Sequence, residues 1–254
     1  MFTTQPDSKK NSHERNSKIK GIDRFAVQLK YLPEPDWSDF QLPPGHIYLL
    51  IDDGSPLTGK LAETLTQQGW QVVVISFLQS LKPEVSLPAA VNRVVIENYS
   101  EADLQQQLKA IASKYGSIAA MIYLHPQLPN REEEHKMLKQ VFFLAKYLQP
   151  TLEKAAQQGS SCFITVAHLD GELGTSGHGK SAVTGGLLGL TKALRWEWPS
   201  VFCRAIDLAD DLDTSTSVKH ILAELHDPNR LIAEVGYSSK GRTTLGVAEF
   251  KYEE

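Results

Sequence analysis

The sequence has few cysteines, no long hydrophobic run and no excess of either charge, and each absence excludes a class of protein. Its two cysteines, Cys162 and Cys203, both lie in apolar runs, so buried, reduced thiols and a cytoplasmic location are expected. No apolar run is long enough to span a bilayer, so no membrane association is predicted. A net charge of -4 gives no electrostatic reason to expect nucleic acid as a partner.

The first 22 residues are polar and contain almost no side chains that a core could bury. We therefore predict a disordered tail over residues 1–22, and the lack of an apolar segment there does not fit a secretory signal. The remaining residues, 23–254, are enough for one α/β domain, and they contain no internal repeat.

Apolar runs alternate with amphipathic segments along residues 23–254. Strands are predicted at residues 24–32 (half-buried), 47–51, 70–77, 91–96, 118–124, 161–167 and 201–208. Helices are predicted at residues 57–68, 101–114, 132–157, 181–198 and 218–224, with a break or kink at Pro150 and a final β-hairpin turning at residues 238–241. Buried strands separated by helices indicate a doubly wound α/β fold with a mostly parallel sheet.

The first strand–turn–helix, residues 50–60, is where such folds bind the pyrophosphate of a dinucleotide. Glycines there let the backbone approach the phosphates, and the helix N-terminus supplies N–H groups. Against the T-G-x-x-x-G-x-G pattern of short-chain dehydrogenases, Asp52 stands at the threonine position. Asp53 and Leu57 stand at the first two glycine positions, and Gly59 keeps the third.

Each of these changes works against a dinucleotide. Two unit charges ~4 Å apart repel by roughly 4 kcal/mol at an effective dielectric constant of about 20, so carboxylates beside a pyrophosphate are unfavourable. Pro56 also removes an N–H from the turn. We assign no cofactor-binding residue to this degenerate loop, which contains Asp52, Asp53, Gly54 and Gly59. Chelation of a metal by the two aspartates is an alternative, but solvated or helix-capping carboxylates are the more usual arrangement, and no metal site is predicted.

The catalytic positions of short-chain dehydrogenases are also altered. The run GLTKAL at residues 189–194 matches the one that follows the Tyr-x-x-x-Lys pair in those enzymes. Counting back nine residues from position 189 places Lys180 at the tyrosine position and Thr184 at the lysine position. The serine position falls on Ala167 or His168. The side chains that would transfer the proton and polarise the carbonyl are therefore missing.

Two histidines offer an alternative chemistry. His125 and His168 would lie at the C-terminal ends of neighbouring strands, and with Lys180 they could form an acid/base site. Retention for packing or surface reasons is the simpler interpretation, so no catalytic residue is assigned. Trp196 and Trp198, near a predicted helix end, are expected to pack in the core rather than form a docking surface.

The segment at residues 163–213 resembles the structural half of ketoreductases in modular polyketide synthases. That half has a helix with the pattern G-L-x-R-x-L-x-x-E-x-P, followed by a strand that ends in D-L. The matching positions are Gly189, Leu190, Leu194, Glu197, Pro199, Asp207 and Leu208. Residues 24–35 and 234–245 look most like ketoreductase regions of polyunsaturated-fatty-acid and enediyne-type iterative synthases. The resemblance covers about residues 24–250.

In these synthases the ketoreductase consists of two fused Rossmann-like halves. The first is a pseudo-dehydrogenase without cofactor, and the second binds NADPH and reduces a β-ketoacyl group held on an acyl carrier protein. The resemblance implies that this chain is the first, non-catalytic half, with a short-chain-dehydrogenase-like fold, no cofactor of its own, and the catalytic half and acyl carrier protein as partners. It would act within a longer polypeptide or in trans. The alternative is an active NADPH-dependent reductase with a divergent site.

Overall fold

A computed structural model describes residues 25–78, 86–97, 100–128, 130–177 and 182–249. The predicted tail, residues 1–22, and Lys180 lie outside this part of the chain. The described residues fall into two compact units, 25–28 with 246–249, and Leu29–Leu245. None of the described helices is both long and apolar enough to cross a bilayer.

Nine strands and five helices are present in the described residues. The strands are β1 (Phe25–Tyr31), β2 (His46–Ile51), β3 (Val72–Phe77), β4 (Asn92–Ile96), β5 (Ser117–Leu124), β6 (Cys162–Ala167), β7 (Phe202–Leu208), β8 (Glu234–Ser238) and β9 (Gly241–Glu249). The helices are α1 (Pro56–Gln67), α2 (Glu101–Tyr115), α3 (Arg131–Ala156), α4 (Ala182–Glu197) and α5 (Thr214–His226).

The strands form one sheet with the order β1-β9-β8-β7-β6-β5-β2-β3-β4. Strands β2 to β8 pair in parallel, and β9 returns antiparallel to β8 as a hairpin. Because β2 pairs with both β3 and β5, the chain winds outward in opposite directions from this point. The predicted doubly wound α/β fold and its C-terminal hairpin are confirmed.

Both faces of the sheet are covered, which explains why its central strands are apolar at every position. One apolar cluster lies between the sheet and helices α2, α3 and α4. The other lies beneath α1 and α5, and is completed by Phe40 and Leu42 from the segment after β1. One face therefore carries three helices, and the other carries two helices and an irregular segment.

The predicted start of one helix is wrong, and the break predicted within another helix is not observed. Helix α5 begins at Thr214 rather than residue 218, because the carboxylate of Asp213 accepts hydrogen bonds from the backbone N–H groups of Ser215 and Thr216. Helix α3 runs unbroken through Pro150. Pro150 is exposed, so water can bond the helix carbonyl that its missing N–H leaves free.

The burial predicted for the two tryptophans is right for one and wrong for the other. Trp198 is buried and meets the ring of Phe163 edge-on, with centroids 5.5 Å apart. Trp196 is 79% exposed. Two positions on a helix differ in direction by about 200°, so both side chains cannot face the same core.

Strand β1 is less buried than its alternating sequence predicts. The strand itself is confirmed, but Val27 and Tyr31 are 65% and 56% exposed. The cysteines, by contrast, are buried as expected. Burial raises the pKa of the Cys203 thiol to about 12, which keeps it in the unreactive protonated form.

A buried ionic cluster joins α5 to the sheet. Arg204, in the middle of β7, is fully buried and donates through Nη1 to Glu224. The same nitrogen lies 3.3 Å from Oδ2 of Asp227, and Nη2 donates to the backbone oxygen of Asn229 at 2.8 Å. The helix and the loop that follows it are thereby fixed to the central part of the sheet.

Arg242 completes the cluster from the hairpin. Its Nε donates to Oε1 of Glu224 at 2.7 Å, and its Nη2 donates to Oδ2 of Asp227 at 2.5 Å. Nη1 donates to the backbone oxygen of Pro33 at 3.1 Å, and the Tyr237 hydroxyl also donates to Glu224 at 2.7 Å. The positive charges of two guanidinium groups are therefore neutralised by the negative charges of two carboxylates, in a cluster that is buried from water.

Removing one charge from this cluster is expected to destabilise the protein strongly. The substitution Arg242→Met should lower the free energy of unfolding by about 3–5 kcal/mol. Glu224 and Asp227 would remain buried and negatively charged, and only one arginine would be left to neutralise them. Urea unfolding measures this loss. The control Lys192→Met breaks the partly exposed pair with Glu234, whose atoms lie 2.8 Å apart. It should cost less than about 1 kcal/mol, and equal losses would contradict the prediction.

Candidate functional site

The C-terminal ends of the central strands border a crevice, the position at which doubly wound sheets bind ligands. A cavity of about 260 Å³ lies there between the turn after β2 and the segments after β5, β6 and β7. It is lined by Asp53, Leu57, His125, Gln127, His168 and Asp210, among others. An adjoining cavity of about 300 Å³ shares His125, His168 and Asp210 and extends to Glu134 and Thr184.

Asp52, at the threonine position of the dinucleotide pattern, is buried and faces the neighbouring strands. Its Oδ2 accepts a hydrogen bond of 2.6 Å from the hydroxyl of Ser76, and Nη2 of Arg93 lies 3.5 Å from the same oxygen. Its Oδ1 accepts the N–H of Gly54 at 2.8 Å. This carboxylate therefore ties the end of β2 to β3 and β4.

Asp53 occupies the N-terminus of α1 with its own carboxylate. Oδ1 accepts hydrogen bonds from the backbone N–H of Ser55 at 3.0 Å and from the hydroxyl of Thr58 at 2.8 Å. Oδ2 accepts the hydroxyl of Ser55 at 2.7 Å. A helix N-terminus favours an anion, and here the chain itself supplies one.

The backbone N–H groups that would bind a pyrophosphate are all engaged within the turn. Asp53 donates its N–H to the Thr58 hydroxyl at 3.3 Å, and Leu57 donates to the Ser55 hydroxyl at 3.1 Å. Thr58 donates to the Ser55 carbonyl at 3.3 Å, and Pro56 has no N–H. With the two bonds accepted by Asp52 and Asp53, every N–H from residue 53 to residue 58 has an internal partner. These residues do not fit a dinucleotide.

Gly59, the retained glycine of the pattern, serves the packing of the chain. A Cβ atom at this position would lie 2.7 Å from the carbonyl oxygen of Ser86. The absence of a side chain therefore lets the segment before β4 approach α1. No group of three or more His, Cys, Asp or Glu side chains within the described ranges is arranged to hold a metal ion.

His125 and His168 are brought to the same crevice, as their strand positions indicate. The hydroxyl of Tyr123 lies 3.3 Å from Nδ1 of His125. Nδ1 of His168 lies 4.0 Å from a carboxylate oxygen of Asp210, which Gln127 also approaches at 3.4 Å. Burial, and then the neighbouring His168, lower the pKa of His125 to about 4, so its imidazole is neutral at pH 7.

The other aligned catalytic positions hold packing residues. Ala167 is the fully buried last residue of β6, and Thr184 is buried in the first turn of α4. Helix α4 is fixed to β6 further along its length, where the hydroxyls of Thr191 and Thr165 lie 2.7 Å apart. The third candidate of the acid/base site, Lys180, lies outside the described residues.

The loop after β6 is organised by two aspartates to which the sequence analysis assigns no part in the site. Asp207, buried at the end of β7, accepts hydrogen bonds from the N–H groups of Leu169 at 2.7 Å and Leu173 at 2.8 Å. Burial raises its pKa to about 7 although these bonds oppose the shift. Asp170 accepts three more N–H groups, from Glu172, Gly174 and Ser176. The sequence signals for Asp207 are its position at a strand end and its match to the D-L pair of the ketoreductase resemblance, and neither predicts these hydrogen bonds.

The lowered pKa of His125 predicts a pH-dependent stability. An unfolded chain takes up this proton near pH 6.5, whereas the folded protein does so only near pH 4. Stability is therefore lost as pH falls through this window, by on the order of 3 kcal/mol in total. Urea unfolding at several pH values should show this loss in the wild type relative to His125→Gln. An NMR titration of His125 with a midpoint near 6.5 would contradict it.

Comparisons with known proteins agree with this architecture. The chain is 29% identical over 209 residues to a polyunsaturated fatty acid synthase subunit from Thraustochytrium sp., covering 80% of this chain and 7% of that protein. The solved A-type ketoreductase of a modular polyketide synthase superposes with a TM-score of 0.57 at 17% identity, covering 90% of this chain and 42% of the other.

A short-chain dehydrogenase/reductase of Brucella melitensis superposes with a TM-score of 0.55 at 15% identity, covering 78% of this chain and 95% of the other. No protein-family model matches the sequence. The structural neighbours establish the fold, and the synthase relative supplies the sequence relationship. The chain therefore has the fold shared by short-chain dehydrogenases and polyketide synthase ketoreductases, and it is similar in sequence to a segment of a polyunsaturated fatty acid synthase subunit.

Proposed function

We propose that this chain is the non-catalytic half of a β-ketoacyl reductase in a polyunsaturated-fatty-acid or polyketide synthase. In this role it braces a separate catalytic half, which binds NADPH and reduces a β-ketoacyl group carried by an acyl carrier protein. The alternative, an active reductase with a divergent site, would use the crevice that contains His125 and His168.

The observation that carries the proposal is the closed N-terminus of α1. A pyrophosphate could bind there only by displacing hydrogen bonds that Asp53 and Ser55 make within the turn. It would then lie beside the Asp53 carboxylate, where two unit charges ~4 Å apart cost roughly 4 kcal/mol at an effective dielectric constant of about 20. Both effects oppose binding of NADPH in the usual place.

The extents of the structural matches are compatible with this region being one half of a ketoreductase. This chain covers 95% of the single short-chain dehydrogenase/reductase but only 42% of the polyketide synthase ketoreductase. The ketoreductase chain is therefore more than twice as long as the region that matches this chain. A fold that matches one portion of it fits the role of one half.

An exposed apolar strand offers a surface for the second half. In the smaller unit, Phe25 and Val27 of β1 are 54% and 65% exposed, and Val247 of β9 is 69% exposed. Phe25 and Val27 are two positions apart, so their side chains point to the same side of the strand. Strand β1 is also the last in the described sheet order. Natural proteins usually protect such edges, and a partner would do so here.

The absence of NADPH binding is tested by thermal unfolding of the purified chain with and without millimolar NADPH. We expect no change in the midpoint temperature. A ligand at ~100 times its dissociation constant would add about 2.7 kcal/mol of stability, which is readily detected. An increase of several degrees would overturn the proposal. His125, His168 and Lys180 would then be substituted, and each variant assayed for reduction of a β-ketoacyl thioester.

The bracing role is tested by co-expression with the catalytic ketoreductase half of the same synthase. The double substitution Phe25→Ser and Val27→Ser should weaken the association by at least about tenfold, since buried apolar anchors dominate interfaces. The matched control is Val95→Ser, which alters an exposed valine on the opposite edge strand, β4. Sedimentation measures formation of the complex, and reductase activity measures its function. If the double variant and the Val95→Ser control associated equally well with the catalytic half, the proposed surface would be contradicted.

A further inference from the structure

An apolar groove of about 340 Å³ lies between α1 and α5, on the face of the sheet that carries only two helices. Val218 and Leu222 of α5 and Thr64 of α1 line it, and Trp37, from the segment after β1, forms one wall. Its volume suits one large side chain. The groove is separate from the crevice at the strand ends, and it shares no lining residue with it.

Trp37 is exposed yet held in place. It is 65% exposed, and its ring stacks on that of His226 with centroids 3.8 Å apart and an interplanar angle of 13°. Ser38 fixes this stack, because its N–H and its hydroxyl each donate to the carbonyl oxygen of His226 at 2.8 Å. Binding a partner would therefore require little ordering of this indole, which is the property of an interface anchor.

Both charged residues that line the groove are lysines. Lys219 lies on α5, and no carboxylate of the described chain is paired with it. Lys60 lies on α1 and pairs with Glu63 at 2.8 Å across side chains that are 46% and 40% exposed. An exposed pair of this kind contributes little and exchanges readily for another carboxylate. The mouth of the groove is therefore suited to acidic groups.

We propose that this groove docks a segment of a partner protein in which one large apolar side chain is flanked by carboxylates. The apolar side chain would pack against Trp37, Val218 and Leu222, and the carboxylates would meet Lys60 and Lys219. An amphipathic helix presents this combination on one face. The inference does not depend on the non-catalytic role, because the groove lies outside the crevice.

The residues of this chain that precede β1 have the wrong charge for the groove. Residues 1–24 contain six lysines and arginines and three acidic residues. Two lysines at the mouth would repel such a segment and attract an acidic one. A partner with an acidic, apolar-centred segment therefore fits the groove better than residues 1–24 do.

The test uses two fluorescein-labelled helical peptides of about 16 residues, the length at which isolated helices become stable. Both carry one central phenylalanine on an otherwise polar face, flanked by glutamates in the first peptide and by lysines in the second. Fluorescence anisotropy measures binding to the full chain. We expect the acidic peptide to bind, more weakly as salt increases, and the basic peptide not to bind.

Three variants locate the binding. We expect the affinity for the acidic peptide to fall by at least about tenfold in Trp37→Ala. The same fall is expected when Lys60→Glu is combined with Lys219→Glu. Lys109→Glu combined with Lys154→Glu makes the same change of charge on α2 and α3, on the other face of the sheet, and should have little effect. The thermal unfolding midpoint of each variant is compared with that of the wild type, to test whether the fold is kept.

Four outcomes of the peptide experiments would overturn the inference. They are no binding of the acidic peptide, equal binding of both peptides, equal affinity of the groove variants and the control variant, and binding that appears only after deletion of residues 1–24. Self-association that Trp37→Ala abolishes would also overturn it, since the occupant would then be a second copy. The NADPH experiment tests a different site, so the proposed function and the docking groove can be contradicted independently of each other.

Discussion

The buried ionic cluster of Arg204, Glu224, Asp227 and Arg242 is the constraint on which the C-terminal half of the fold depends. Each carboxylate accepts from both guanidinium groups, so no charge is left without a counterpart. An ionic cluster of this kind adds less stability than its contacts suggest, because desolvation offsets the attraction. It does restrict the arrangement, since α5, β7 and β9 must be placed correctly together before any of the four charges is balanced.

Side-chain carboxylates organise the edge of the sheet where a ligand would be expected. Asp53 closes the N-terminus of α1, and Asp207 and Asp170 hold the loop after β6 through its backbone N–H groups. These internal bonds use the donors that an anionic ligand would need. The backbone N–H groups at this edge are therefore engaged with the chain's own carboxylates, which supports the proposed non-catalytic role.

Local sequence patterns predict most of this fold, because strands buried on both faces are continuously apolar and helices are periodic. They fail where a single contact decides the outcome. The start of α5 depends on Asp213 as a cap, and the exposure of Trp196 depends on which side of α4 meets the core. At the site, the sequence places Asp52 and Asp53 at the turn. It cannot reveal that Asp52 bonds Ser76, 24 residues away, since such pairings arise only from tertiary structure.

The contact between Arg242 and the carbonyl of Pro33 spans 209 positions of the chain. It joins the segment after the first strand to the start of the last one, so the two ends of the larger unit are held side by side. A domain excised or transplanted during the evolution of a multidomain protein must therefore keep the continuous segment from Pro33 to Arg242. A junction between residues 33 and 204 would separate Arg242 from the Pro33 carbonyl, and one between residues 204 and 242 would also separate a guanidinium group from its carboxylates, whereas junctions outside residues 33–242 leave all of these contacts intact.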